Sequence, residues 1–475
     1  MKFLAPLLVG VAAVGLLSGT GHAMSLREAV NLTVYSNPEI GEAVFDRNAI
    51  GFELKQAKGE WLPRLDLEFR GGAEWADRSF TRQRDQYFYG PYELRATGRQ
   101  KLFDGFATTY EIERQKARLD ATSFRVWERA EFIGLSAVRA YVEVARLSEV
   151  EQSAQRNIAY HSKVASDMRV GLSRGVISVA DVQQASERVY AARLALQEVA
   201  EELELAEATF IEIVGKPLSR LGSVPSIAQR IPGTLPGVLN VARRNNPLIS
   251  LRKADIDAAN AQIKIAESEY YPSLDLELSS SVGENLNGFP GVNNQATALV
   301  VMRWNIFNGN ITKNKRAEQV ERAGEARMRS ARAYREVERE TRASWIRRIE
   351  LSKQLAIIKR QLSASRQLLV SYEGQFTVGQ RTLLDVLDTQ NTVFFTEVSE
   401  ISARYAQRFA NYRLLAAMGG LLESFEIQPP AQAEAGYRQV RDDEETEGWL
   451  PGKALPGVAA QWARGTPVAI PRAKE

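Results

Sequence analysis

The 475-residue sequence predicts a mainly α-helical protein that also contributes strands to a membrane β-barrel. Three observations predict it. The chain is duplicated in tandem: Gly175 corresponds to Gly379, Asp181 to Asp385 and Val182 to Val386 at one constant offset, which also pairs Phe103-Asp104-Gly105 with Phe307-Asn308-Gly309. Each copy holds two segments in which apolar and polar residues alternate, the period of a strand with one apolar face. Each copy then runs without a proline and in a helical pattern, from Thr108 to about Val170 and from Thr312 to about Thr377. At 1.5 Å per residue such a helix reaches ~95 Å, far beyond the usual helix of a globular domain.

Taken in order, residues 1–23 read as a secretory signal peptide. Lys2 supplies the positive start, Leu7 to Leu17 is apolar, and Gly21-His22-Ala23 offers small residues for cleavage, so the mature chain is expected to begin at Met24. No other stretch approaches the ~20 apolar residues of a membrane-spanning helix. The first repeat covers 24–215. It opens with a short helix, Leu26 to Glu60, followed by a strand in which Leu65, Leu67 and Phe69 alternate with Asp66, Glu68 and Arg70. A linker with four prolines occupies 216–236. The second repeat, 237–425, has its short helix from Val238 to Glu269 and strands with Leu274, Leu276 and Leu278, then Ala298, Val300, Met302, Trp304 and Ile306, on one face. The second long helix of the first repeat carries apolar residues from Val182 through Ala185, Val189 and Ala192 to Ile213 at alternating spacings of three and four, a coiled-coil seam. Its counterpart runs from Leu384 to Leu415. Prolines and an acidic run (Asp442 to Glu445) mark 426–475 as a disordered tail.

Composition excludes several functions. The chain has no Cys, hence neither disulfides nor a lipidated N-terminal Cys. Beyond the signal only His161 remains, so zinc ligation and histidine-based catalysis are poor candidates, and His161, among polar residues, is expected at the surface. The net charge is +3, and the arginines from Arg316 to Arg348 are interleaved with glutamates, a solvated helix face rather than a nucleic-acid patch. No nucleophile–base constellation appears, and Asp385 with Asp388 lacks a cleft partner, so no enzyme and no cofactor is expected.

Four strands cannot close a sheet, and lipid cannot satisfy an open edge; three chains of four strands can. Trp75, Tyr87, Phe88, Tyr89, Tyr92 and Phe289 cluster near strand ends, where interfacial girdles lie.

With the duplication, "NP" near each repeat start, "LP" or "YP" before a strand, "LFDG" and "IFNG" after one, and the paired G-x5-DV motifs, the chain from about Ser25 to Leu422 resembles the TolC-like outer-membrane factors. That resemblance implies a homotrimer with a twelve-stranded barrel in the outer-membrane lipid, four strands per chain. A twelve-helix tunnel would extend from it into the periplasm of a Gram-negative bacterium. The segments 141–185 and 375–391 look most like the type I secretion branch, especially ducts for large adhesins. The implied partners are a periplasmic adaptor, an inner-membrane ABC transporter and an exported protein cargo, with no nucleic acid. A drug- or metal-efflux duct is the alternative on the same fold, and an exported coiled-coil scaffold without a pore is the alternative of another class.

The resemblance also assigns a site. Both G-x5-DV motifs fall where one long helix turns into the next, the family's pore constriction. Asp385 and Asp388, three apart on one helix, would form two carboxylate rings in a trimer and favour cations. Arg381 matches the family's gating arginine, and Asp181 the aspartate with which it pairs. Phe376 stands where the family has a gating tyrosine, and Ala180 where it has a threonine, so two hydrogen bonds of that latch are missing here.

Overall fold

The computed structural model describes residues 23–78, 85–218, 220–288 and 291–438. The expected signal peptide up to His22, Phe289 and the tail beyond Arg438 lie outside these residues.

The two copies are laid out alike. The first consists of α1 (Leu26–Ser36), α2 (Pro38–Gly59), β1 (Arg64–Gly71), β2 (Glu74–Arg78), β3 (Asp85–Tyr89), β4 (Tyr92–Phe103), α3 (Ala107–Ser173) and α4 (Val179–Val214). The second consists of α5 (Leu235–Asn245), α6 (Pro247–Ser268), β5 (Ser273–Glu284), β6 (Val292–Arg303), α7 (Ile311–Thr377) and α8 (Leu383–Ala417), followed by a one-turn α9 (Leu421–Ser424). Both α3 and α7 are 67 residues long. The single short helix expected at each repeat start is instead two. Asn37 and Asn246 end one helix in extended backbone, and each accepts a hydrogen bond from the next helix's second N–H, at Glu39 and Leu248. Proline follows as the first helical residue, so "NP" is a stop and a start in one dipeptide.

The expected four strands pair as one antiparallel sheet in the order β1-β4-β5-β6, and β2 pairs with β3 as a further hairpin that the alternation did not reveal. Trp75, Tyr87, Phe88 and Tyr89 belong to that hairpin. The register puts Leu65, Leu67 and Phe69 of β1 on the same face as Leu94, Ala96 and Gly98 of β4, and on through Leu274, Leu276 and Leu278 to Ala298, Val300 and Met302 of β6. This face is bare in the single chain: Leu65 is 79% exposed and Met302 62%. The opposite face is a ladder of charge. Arg95 binds Glu93 (2.7 Å), Arg99 and Arg303 share Asp275 (2.8 and 2.9 Å), and Arg70 holds Glu68 (2.9 Å). One face suits lipid and the other water, and β1 and β6 each leave an edge open. β6 stops at Arg303, before Trp304 and Ile306, where the Trp304 indole N–H donates to the Tyr270 carbonyl (3.1 Å).

From the sheet the chain enters each long helix through a tight turn. Gly105 and Phe106 both have positive φ, and the Asp104 carboxylate accepts from the Thr108 N–H (2.9 Å), anchoring the start of α3. A Cβ on Gly105 would collide with the Ser268 carbonyl oxygen and stand 2.9 Å from the Tyr271 Cβ, so glycine is required where α6 passes close behind.

The main core sits around the middle of α3. Tyr141 lies at its centre, its hydroxyl donating to the Met24 carbonyl (2.8 Å) and accepting from the Gly222 N–H (2.8 Å). Val224, Ile227 and Ile231 of the inter-repeat segment are buried in the same core, beside Phe210, Tyr412, Leu421 and Leu422. The α4 seam faces inward throughout. The α8 seam does so except for Leu384, which is 42% exposed. The polar face of α7 carries the expected pairs, such as Arg322–Glu318 (2.6 Å) and Arg329–Glu325, one helical turn apart.

Two expectations are corrected. The tail is ordered at its start: Ala433 is buried against Ala43 and Val126, and the Tyr437 N–H donates to Asp120. Ala431, Ala433, Ala435 and Gly436 let this segment lie flat in the groove between α2 and α3. His161 is not on the surface but 1% exposed, because α3 turns it into the contact with α4 and α8. Burial, aided by the nearby charge of Arg188, holds its imidazole below the usual value.

Candidate functional site

The α3–α4 and α7–α8 turns lie at the far end of the long helices from the sheet. The same local code builds both. Gly175 and Gly379 have positive φ (76° and 74°) and close the preceding helices. The N–H after each glycine reaches back five residues, from Val176 to the Gly171 carbonyl and from Gln380 to the Gln375 carbonyl (3.1 and 2.9 Å). Three residues beyond the glycine, Ser178 or Thr382 caps the next helix, and three further on Asp181 or Asp385 completes a reciprocal capping box. The Asp181 carboxylate accepts from the Ser178 hydroxyl (2.6 Å), and the Asp385 carboxylate from the Thr382 hydroxyl (2.8 Å). G-x5-DV is therefore the sequence of a helix–turn–helix reversal. The Thr382 hydroxyl and N–H, with the charge of Arg381, hold the Asp385 carboxyl below the usual carboxylate range.

A small apolar cluster joins the two hairpins behind these turns. Ala165, Met168, Ala185, Val189, Leu383 and Leu387 are buried in it, and Phe376 packs against it half-buried. Above it, Gln390 donates to Asn157 (2.9 Å), the Tyr160 hydroxyl donates to Glu373 (2.7 Å), and Arg156 binds Glu397 (2.8 Å), three contacts from α3 to the α7–α8 hairpin.

The structure separates the residues that the sequence grouped. Asp385 faces its own helix start, whereas Asp388 binds Arg188 of α4 (2.8 Å). Arg381 and Asp181 are not brought together within one chain. The Arg381 guanidinium donates to the Gln375 side-chain carbonyl (3.0 Å) and lies over the Tyr372 ring, 4.3 Å from its centroid, while Asp181 stays in its capping box. Sequence reasoning missed Arg188. No local spacing signals it, because its partner Asp388 lies 200 residues away along the chain. Among the described residues no group of His, Cys, Asp and Glu side chains is arranged to hold a metal ion.

The model of the outer membrane efflux protein family matches residues 29–216 and 238–420, one match per repeat. Outer membrane protein TolC of Escherichia coli (strain K12) is 22% identical over 89% of this chain and 87% of its own length. Proteases secretion protein PrtF of Dickeya chrysanthemi is 22% identical over 84% of this chain and 89% of its own. The crystal structure of outer membrane protein VceC from Vibrio cholerae superposes with a TM-score of 0.69, covering 83% of this chain and 96% of that one at 15% identity. Both halves of the duplication thus fall within the outer membrane efflux protein family, and the chain belongs to it: a non-enzymatic outer-membrane channel that serves as the exit duct of a tripartite export system.

Proposed function

We propose that three copies of this chain form a duct for type I secretion of a large protein, such as an adhesin, gated at the helical tip. The observation that carries the duct reading is the sheet, with one apolar face, one charged face and an open edge on each side. Pairing β6 of one chain with β1 of the next closes twelve strands with every backbone group satisfied. The three α3–α4 and three α7–α8 hairpins then continue the barrel as a tunnel of twelve long helices that narrows at the turns. Asp385, Asp388, Arg381, Asp181 and Phe376 line or brace that narrowing.

Cargo passes such a duct without chemistry; the chain's own part is to exclude lipid, present a charged lumen and hold the tip until partners arrive. A periplasmic adaptor would engage the tip and an inner-membrane ABC transporter would drive the cargo. The likeness to a protease secretion protein and the segments 141–185 and 375–391 support secretion. The family's own description, as efflux proteins, supports the alternative of drug or metal export.

Deleting the gene tests the choice. A secretion duct predicts loss of a large protein from the medium with unchanged drug and metal susceptibility; the reverse pattern would assign efflux. Purified protein should migrate as a detergent-bound trimer and conduct in a planar bilayer, whereas a detergent-free monomer without conductance would return the scaffold reading.

A further inference from the structure

We propose that Arg188 is the tip latch of this chain: by binding Asp388 it fastens the α7–α8 hairpin to the α3–α4 hairpin and cancels the charge of the Asp388 carboxylate until the tip opens. The inference rests on the gated-duct reading and names the residue that holds that gate.

The geometry carries it. α4 and α8 belong to different hairpins and meet near the turns, where Ala185 and Val189 touch the cluster of Leu383 and Leu387. Arg188 stands between these two α4 contacts and reaches across to the Asp388 Oδ1 at 2.8 Å. The arginine side chain is 26% exposed, the aspartate 56%. The guanidinium is thus drawn into the seam while the carboxylate stays at the rim. The Arg188 Nε is buried without a hydrogen-bond partner, and its own neighbour Glu187 approaches it only to 3.6 Å. Asp388 is therefore what holds the side chain in place. The pair also stands where the expected latch is weakest: Arg381 is engaged with Gln375 and Tyr372 of its own hairpin, and Phe376 offers no hydroxyl.

The consequence is a coupling between aperture and charge. In the closed tip each Asp388 is neutralised by an arginine from the neighbouring hairpin. Parting the hairpins breaks three such pairs at once and releases three carboxylates into the widened pore. Opening and cation preference therefore rise together.

Single-channel recording of the purified trimer tests this. Arg188→Gln should raise the open fraction of the tip roughly three- to a hundred-fold, the scale of three partly exposed ion pairs broken together, and should increase cation over anion permeability. Asp388→Asn should raise conductance as well but lower cation preference, the opposite sign in selectivity. The charge swap, Arg188→Asp with Asp388→Arg, should return conductance towards the parent value, and the opposite selectivity shifts of the two single variants are what a merely structural pair would not give. Unchanged conductance in Arg188→Gln, or a swap as leaky as the single variants, overturns the assignment. Each variant is first checked for trimer formation, and the swap keeps the test decisive if one single variant fails to assemble. If neither the parent nor Arg188→Gln ever conducts, the duct reading fails and the latch falls with it; a conducting parent insensitive to position 188 sinks the latch alone.

Discussion

The backbone N–H of Tyr437 donates to the carboxylate of Asp120 (3.2 Å), which ties the segment after α9 to the first half of α3. Arg438 adds an ion pair to Asp257 of α6, and Lys116 lies 5.4 Å from the Tyr437 ring centroid. The segment up to residue 438 is therefore a strap over α2, α3 and α6. Truncation after Pro430 removes it, and should lower the stability of the detergent-solubilised protein by roughly 2–3 kcal/mol per chain, the scale of lost hydrogen bonds to charged groups. Truncation after Arg438, which keeps the strap, is the comparison. Thermal unfolding of both proteins decides, and equal melting would show the strap to be passive.

Glu131 gives a pH dependence. It is 5% exposed in α3, and its two oxygens accept the N–H groups of Leu421 and Leu422 at the start of α9 (3.0 and 3.3 Å). Burial outweighs those bonds and pushes the carboxyl up to about 7. A raised acid binds its proton more tightly folded than unfolded. Its contribution is therefore complete below pH ~4.5 and is lost as the pH rises to about 7, a change of ~3 kcal/mol per chain. Glu131→Gln should flatten this part of the stability profile and gain on the parent protein as pH rises. Parallel profiles for the two proteins between pH 4.5 and 8 would refute it.

The two strand-to-helix turns differ in what surrounds them. Gly105 and Gly309 share positive φ (66° and 67°), but only Gly105 is backed by α6; nothing lies within 4 Å of a Cβ on Gly309. Gly309→Ala should cost only the ~1–2 kcal/mol of a left-handed residue. Gly105→Ala adds a collision with the Ser268 carbonyl and should reduce the yield of assembled protein well below that of Gly309→Ala. Matching yields would mean that α6 shifts freely.

At the tip, Thr382→Ala should remove ~1 kcal/mol from the start of α8, and Thr382→Ser should restore it. The Asp385 carboxyl is lowered by the same hydroxyl and N–H, so its share of the cap is present above pH ~4 and lost as the pH falls below that. Hydrogen exchange over 383–388 measures both effects. Unaltered protection in Thr382→Ala would show that packing of Leu383 and Leu387 alone holds the turn.

The duplication, the long helices, the strand faces and the place of the helix reversals were legible in the sequence, because each follows from local periodicity or turn chemistry. Gly379, Thr382 and Asp385 even spell their capping box in order along the chain. What the sequence left open is whatever depends on which side chains from distant segments meet. Asp385 and Asp388 look equivalent three residues apart, yet one closes its own helix and the other binds Arg188, two hundred residues away in the chain. His161 reads as a surface residue among polar neighbours, but three helices converge on it and exclude water. The 431–438 segment has no periodicity, and its order comes from a groove that α2 and α3 create only once folded. Period and turn code are written along the chain; burial and charge pairing belong to helices brought side by side.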